Sequence, residues 1–260
     1  MIIRELKTKL PISNYANLYV VADFDRTITT DSSQTSWSIL SSSNMVPKAY
    51  KEERNALYVE YRPIELDEAM NYDLRSGLIK EWYQKHIELF IKYQISEELF
   101  AKAARDLRIM QFRPGAKEFI DFLHAYQIPL IIISAGVGNF IETFLTNNGC
   151  YYDNIYVSSN KIIFKDGLAS AVEQNIIHSL NKNEVSLPPE IKMKIANRTQ
   201  VILLGDQTSD LRMVEETSDK TIIKVALYTN ESFDEVVNVY DIIGEVDDTY
   251  YEIKDLLFKK

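Results

Sequence analysis

The sequence predicts an α/β fold, a largely parallel sheet carrying an inserted helical cap. Three observations predict it. Short Val- and Ile-rich runs recur along the chain, helical patterns separate them, and one long stretch between the first two runs is helical with no strand of its own.

The runs at 19–22, 130–133, 201–204, 222–227 and 240–243 are brief and mostly apolar, interrupted only by Lys224 and Asp241, as strands buried in a parallel sheet are. Residues 115–126 place Phe119, Phe122, Leu123 and Tyr126 on one helical face. Residues 139–148 do the same with Ile141, Phe144 and Leu145, and Gly149 then marks a helix C-terminal cap. Residues 155–167 hold β-type residues broken by Ser158-Ser159-Asn160 and Asp166-Gly167, which predicts a small hairpin. Residues 29–33 read as a linker. After it, Leu66, Met70, Leu74, Leu78 and Trp82 recur at steps of four and predict one long helix, and Ser96-Glu97-Glu98 reads as a further helix start. The chain returns through Phe112-Arg113-Pro114-Gly115. The expected division is a core over 1–31 and 111–260 and a cap over 32–110, with hinges near 28–33 and 110–114.

Composition excludes several classes. With 46% apolar and 26% charged residues in 260, the chain can bury a sizeable core. A net charge of −9 is the wrong sign for a nucleic-acid backbone, so no nucleic-acid partner is expected. Cys150 is the only cysteine and cannot form an internal disulfide, which suits a reducing cytoplasm. Residues 1–7 mix charge with apolar side chains and show no signal-peptide core. No segment reaches the roughly 18 apolar residues of a membrane span, so no membrane partner is expected either. Nothing in the sequence signals an oligomeric state.

Polar residues stand at the carboxyl ends of three strand candidates. The first ends in Asp23 and Asp25, whose alternation would set both carboxylates on one side. The second ends in Ser134-Ala135-Gly136 and the third in Gly205-Asp206, with Asp210 beyond. Burying like charges is costly unless a cation or a reaction needs them. Each signal alone has an ordinary explanation: Asp-x-Asp occurs in loops, a serine after an apolar run caps helices, and Gly-Asp makes turns. In register at strand ends they would converge, where ligands of such sheets bind. An aspartate can be the nucleophile of phosphoryl transfer and a second carboxyl its proton carrier, while Asp23 and Asp206 offer the hard oxygens that magnesium takes.

In order, Asp23-Phe24-Asp25-Arg26-Thr27, Ser134, a downstream lysine and Gly205-Asp206 with Asp210 resemble the four motifs of the haloacid dehalogenase (HAD) superfamily of phosphatases. The resemblance implies a Rossmann-like HAD core with a helical cap of the C1 type. It makes Asp23 the nucleophile and Asp25 the general acid and base. It has Asp23, the Asp25 backbone carbonyl and Asp206 hold Mg²⁺, Ser134, Ala135 and a lysine hold phosphate, and Thr27 and Asp210 support the site. Lys161, Lys165, Lys182, Lys192 and Lys194 all lie in range. Lys182 is chosen because Asn181-Lys182 looks like a motif of a narrower group, the pyrimidine 5′-nucleotidases (cytosolic 5′-nucleotidase type III). That group also has close counterparts of Ser134-Ala135-Gly136-Val137-Gly138, of Val157-Ser158-Ser159-Asn160 and of the run from Ile202 to Met213. By the same resemblance Glu65 reads the nucleobase and His86 stands where a small polar substrate contact is expected; Trp82 and Tyr83 have the rings to offer a stacking face. The implied partner is a small-molecule phosphomonoester, a nucleoside 5′-monophosphate and most simply a pyrimidine one. Phosphoserine, a sugar phosphate or non-catalytic phosphate binding are the alternatives. The chain departs from the group at Asn139, where an aspartate is usual, at His86, and over the serine-rich stretch 31–47. His124 and Cys150 read as structural residues.

Overall fold

The computed structural model describes residues 2–3, 12, 14–106, 110–173, 175–184, 187–227, 233–244 and 250–258. Apart from residues 2–3, the N-terminal segment 1–7 lies outside these. Nine strands are β1 (Ile2–Ile3), β2 (Leu18–Ala22), β3 (Leu130–Val137), β4 (Ile155–Asn160), β5 (Ile162–Lys165), β6 (Leu168–Val172), β7 (Gln200–Gly205), β8 (Thr221–Leu227) and β9 (Ile242–Gly244) among the described residues. Seven form one sheet in the order β1-β9-β8-β7-β2-β3-β4, with every pair parallel except β1 with β9. The order reverses between β2 and β7, so the crevice for a ligand opens at their carboxyl ends.

Alternation along the central strands divides the core. Leu18, Val20, Ala22, Leu130 and Ile132 face α5 (Ala116–Ala125), α6 (Gly138–Asn147) and α9 (Tyr250–Leu257). Tyr19, Val21, Ile131, Ile133, Val201 and Leu203 face α7 (Pro189–Ile195). Both faces being covered explains why these strands are apolar throughout. α6 ends as expected, with Gly149 in the left-handed region at φ 66°. The short α8 (Phe233–Val236) precedes β9.

Between β2 and β3 lie α1 (Ile39–Ser42), α2 (Lys48–Leu66), α3 (Tyr72–Lys92) and α4 (Glu97–Ala103). The single long helix expected through 66–82 is two helices. Asn71 accepts from the backbone N–H of Asp73 (3.1 Å) and Leu74 (3.2 Å) and starts α3. Leu66 and Leu74 are exposed; the buried face of α3 is instead Ile79, Trp82, Tyr83, His86, Ile87 and Phe90. A local cap here overrides a four-residue periodicity. Ser96 caps α4 through the Leu99 N–H, as expected.

The hairpin expected over 155–167 is also corrected. β4 joins the main sheet, pairing parallel with β3 from Leu130 opposite Ile155 to Ile133 opposite Ser158, and the hairpin follows it, β5 against β6 around Asp166-Gly167. Its backbone meets the inserted helices, Glu97 N–H donating to Gly167 O and Ala169 N–H to Ile95 O. The outgoing and returning chains run side by side, Thr30 N–H donating to Gln111 O and Arg113 N–H to Ile28 O, both 2.9 Å.

Candidate active site

β2 ends at Ala22, so the Asp23–Asp25 pair is set by a turn and not by the strand pleat anticipated above. Asp23 N–H donates to Leu204 O, keeping the residue in line with β7. The chain then curls so that Phe24 O accepts from the N–H groups of Thr27, Ile28 and Thr29, with Arg26 left-handed at φ 65°. Buried Arg113 holds the curl, its guanidinium donating to Arg26 O (2.6 Å) and to Leu227 O (3.1 Å) at the end of β8. Both aspartates line one cavity of about 270 Å³. Thr27 lies buried behind them and outside it, its carbonyl accepting from the Tyr250 hydroxyl.

Ser36 donates its backbone N–H (3.0 Å) and its hydroxyl (2.8 Å) to the Asp25 carboxylate, and its oxygen accepts from Val137 N–H (3.0 Å). A side chain at Gly136 would place its first carbon 2.1 Å from Ser36 Oγ, so only glycine admits this contact. Desolvation raises the Asp25 pKa and the Ser36 bonds oppose it.

Of the five lysines in range, Lys182 is the one in contact with Asp23 and Asp210. Its ammonium donates to Asp23 Oδ1 (2.8 Å) and Asp210 Oδ1 (2.7 Å), all three groups being buried. Lys161 pairs with Glu142, and Lys165, Lys192 and Lys194 are exposed. Asp210 Oδ2 accepts from the N–H groups of Asp206 and Gln207, which fixes the β7 loop; Gly205 is needed because any side chain there would meet Asp210. Carboxylate oxygens of Asp23, Asp206 and Asp210 lie within 4.8 Å of one another. Three buried carboxylates thus face one buried ammonium. Desolvation raises the pKa of both Asp23 and Asp206, and Asp210 adds to it. Asp210 is committed to Lys182 and two N–H groups. One ammonium shared by Asp23 and Asp210 leaves the three-carboxylate cluster with net negative charge, and the carboxylates of Asp23 and Asp206 are an all-oxygen set that fits a hard divalent cation.

Ser134 is buried at the end of the regular part of β3, its hydroxyl accepting from Gly136 N–H. Ala135 O accepts from Trp37 Nε1 and Asn160 Nδ2, both 2.8 Å. Asn160 also donates to Ile177 O (2.7 Å) and accepts from Ile177 N–H (2.9 Å), so one side chain ties the Ser134 loop to the segment leading to Lys182. Asn139, in the position of the usual aspartate, makes a two-way bridge to the backbone of Ile162.

The cavity is also lined by Glu65, Trp82 and His86 from α2 and α3. Glu65 forms a close ion pair with Arg62 and accepts from the Ser179 hydroxyl at 2.6 Å. Trp82 stacks on Tyr61 with centroids 6.0 Å apart and planes at 8°. Burial, with the Arg54 charge, lowers the His86 pKa to about 3, so the ring is neutral. His124 stacks on Tyr152 away from the cavity. Cys150 is buried with its thiol pushed up to about 11 by desolvation. Nine of the expected residues therefore line one cavity: Asp23, Asp25, Ser134, Ala135, Lys182, Asp206, Glu65, Trp82 and His86. Arg26, Arg54, Arg62, Ser36, Asn160 and Ser179 were not anticipated. The spacing of Arg54, Tyr58, Arg62 and Glu65 at three and four residues is the one local signal that could have found two of them.

The profile described as pyrimidine 5′-nucleotidase (UMPH-1) matches residues 25–259. The 7-methylguanosine phosphate-specific 5′-nucleotidase of Gallus gallus is 31% identical over 254 residues, covering 93% of this chain and 87% of that protein. The Homo sapiens protein of that name is 29% identical, covering 92% and 83%. The crystal structure of cytosolic 5′-nucleotidase IIIB bound to cytidine superposes with a TM-score of 0.81 at 27% identity, covering 92% of this chain and 84% of that chain. Substrate-bound phosphoserine phosphatase shares the fold at 19% identity and a TM-score of 0.55, covering 92% and 97%. This chain is a HAD-type phosphatase of the 5′-nucleotidase kind, and it belongs to the pyrimidine 5′-nucleotidase (UMPH-1) family.

Proposed function

We propose that this enzyme hydrolyses a nucleoside 5′-monophosphate, with a pyrimidine base as the first choice, through an aspartyl-phosphate on Asp23. The observation that carries the reading is the Lys182 ammonium bridging Asp23 and Asp210 in a cavity that Glu65 and Trp82 also line. The relative named for 7-methylguanosine phosphate and the structure bound to cytidine support a nucleoside substrate.

Asp23 attacks phosphorus while the bond to the ribose 5′ oxygen breaks, and Asp25 gives that oxygen its proton. Asp25 then takes a proton from a water that attacks the aspartyl-phosphate. Phosphate leaves, and both carboxyls return to their starting states. Lys182, the Ser134 hydroxyl and the Ala135 backbone hold the phosphoryl oxygens where charge develops. Asp23, the Asp25 backbone carbonyl and Asp206 would hold Mg²⁺, which when bound supplies charge neutralisation at the phosphate. Thr27 and Asp210 support these groups from behind. Glu65 accepts from a base N–H group such as the cytosine amine, Trp82 offers its ring, and His86 a neutral polar edge. The cap spans 32–110 and closes about 28–33 and 110–114, excluding water from the intermediate. A cytoplasmic location is supported by the cytosolic relative; among the described residues no helix is long and apolar enough to cross a membrane.

The test is phosphate release with Mg²⁺ across nucleoside 5′-monophosphates, phosphoserine and sugar phosphates. Preference for a nucleotide is expected, with Asp23→Asn abolishing turnover and Glu65→Ala changing the base profile. Preference for a non-nucleotide, or an unchanged profile in Glu65→Ala, rejects the nucleotide reading.

A further inference from the structure

Lys182 stands on a stretch without regular structure: residues 175–183 form neither helix nor strand. Side chains, not a backbone ladder, must therefore fix its place. Asn181 closes the local turn, accepting from His178 N–H (2.7 Å) and donating to Ile176 O (3.0 Å). Asn160, on β4, ties the leading end of the stretch at Ile177 to Ala135 in the Ser134 loop. The trailing end is held by Glu184, two residues beyond Lys182.

Glu184 is 6% exposed and does not line the cavity. Its carboxylate gathers donors from three directions. The Tyr19 hydroxyl donates to Oε2 (3.0 Å) and the Glu215 N–H to Oε1 (2.8 Å), where the Lys220 ammonium forms a close ion pair. Burial and the Glu184 charge both raise the Tyr19 pKa, so the phenol keeps its proton and is the donor. A buried carboxylate is costly, and an apolar side chain could fill the same space without that penalty. What the carboxylate adds is its connections. Tyr19 stands on β2, four residues before Asp23. Glu215 follows the 3₁₀ helix Thr208–Met213, which carries Asp210. One buried side chain thus joins the strand that leads to the nucleophile, the stretch that carries the lysine and the loop that carries the second carboxylate bound by that lysine.

We infer that Glu184 is a positioning residue, fixing the backbone at Lys182 so that its ammonium meets Asp23 and Asp210 together. The inference rests on the reading above of Lys182 as the cation that holds the phosphoryl oxygens. Glu184 itself takes no part in the chemistry at phosphorus; Tyr19 and Lys220 act through it.

The experiment is a double-mutant cycle on kcat for p-nitrophenyl phosphate and a nucleoside 5′-monophosphate, at a temperature where circular dichroism shows every variant folded. Glu184→Ala should lower kcat about tenfold on both substrates, with a smaller change in KM. Glu184→Gln, which keeps an oxygen for the Glu215 N–H, should recover most of that loss. Tyr19→Phe, which removes one hydroxyl, should lower kcat about threefold. In a Lys182→Met background each of these substitutions should change kcat by less than about twofold, because the group being positioned is gone. Wild-type kcat in folded Glu184→Ala, or in Tyr19→Phe where Glu184→Ala does not fold, overturns the inference. So does an undiminished loss in the Lys182→Met background, which marks a structural role only. Lys182→Met with wild-type kcat overturns the reading of Lys182 together with the inference.

Discussion

Ser36 grips Asp25 with two donors, its backbone N–H at 3.0 Å and its hydroxyl at 2.8 Å. The two residues belong to different parts of the chain, the turn after β2 and the start of the inserted block. The proposed acid–base group is therefore tuned by the block that covers it. Hydrogen bonds to the charged form lower a carboxyl pKa, and burial raises this one. Removing the Ser36 hydroxyl takes away part of the opposing effect. Ser36→Ala should move the Asp25-dependent limbs of the kcat–pH profile to higher pH by about one unit. A profile superimposable on that of the wild type would show that Ser36 does not tune Asp25.

Lys182 is held by Asp23 and Asp210 with no solvent between them. Removing one partner of a buried network leaves charges without compensation. Lys182→Met should lower unfolding free energy in urea by roughly 3–5 kcal/mol. It should also cut kcat by about 10²–10³-fold, since the ammonium faces the transferring phosphoryl group. The Lys182 pKa is raised well above its usual value, so its share of stability is complete at neutral pH and is lost only as pH rises through that raised value.

Asp23 and Asp206 carry raised pKa values without a metal. A carboxyl whose native pKa lies above its unfolded value contributes stability that is full below about pH 4 and fades as pH climbs towards the native value. The metal-free protein should therefore lose stability over that window. Mg²⁺ competes with protons for the same oxygens, so the rise in Tm on adding Mg²⁺ after EDTA treatment should grow from pH 5 to pH 8. An equal rise at both pH values would argue against Asp23 and Asp206 as the cation site.

Asn160 spends its amide on two loops at once, Ala135–Gly136 and Ile177. Asn160→Ala leaves buried backbone groups unmet on both sides. A loss of about 2–4 kcal/mol in chemical unfolding is expected. Because the loops carry Ser134 and lead to Lys182, kcat should fall about tenfold or more on any phosphomonoester, base or no base. A fall confined to nucleotides would contradict a role in positioning the phosphate end.

Much of the sheet was legible because the strands that build it are buried on both faces and so are written as apolar runs. The misread segments have a common cause. Residues 155–160 and 162–172 are equally β-like, and only pairing of β4 with β3, some twenty-five residues earlier, separates a sheet strand from a hairpin. The four-residue pattern through Leu66 and Leu74 ignored that Asn71 caps a new helix, which turned both leucines outward.

The acidic pair, the serine and the second acidic loop were legible at strand ends from the amino-acid order, because strand polarity and apolar runs are local properties that fix where side chains emerge. The contact of Lys182 with Asp23 and Asp210, the grip of Ser36 on Asp25 and the Asn160 clamp belong to the tertiary structure. Each depends on a distance of a few ångströms between residues far apart in the chain, which no spacing along the sequence encodes.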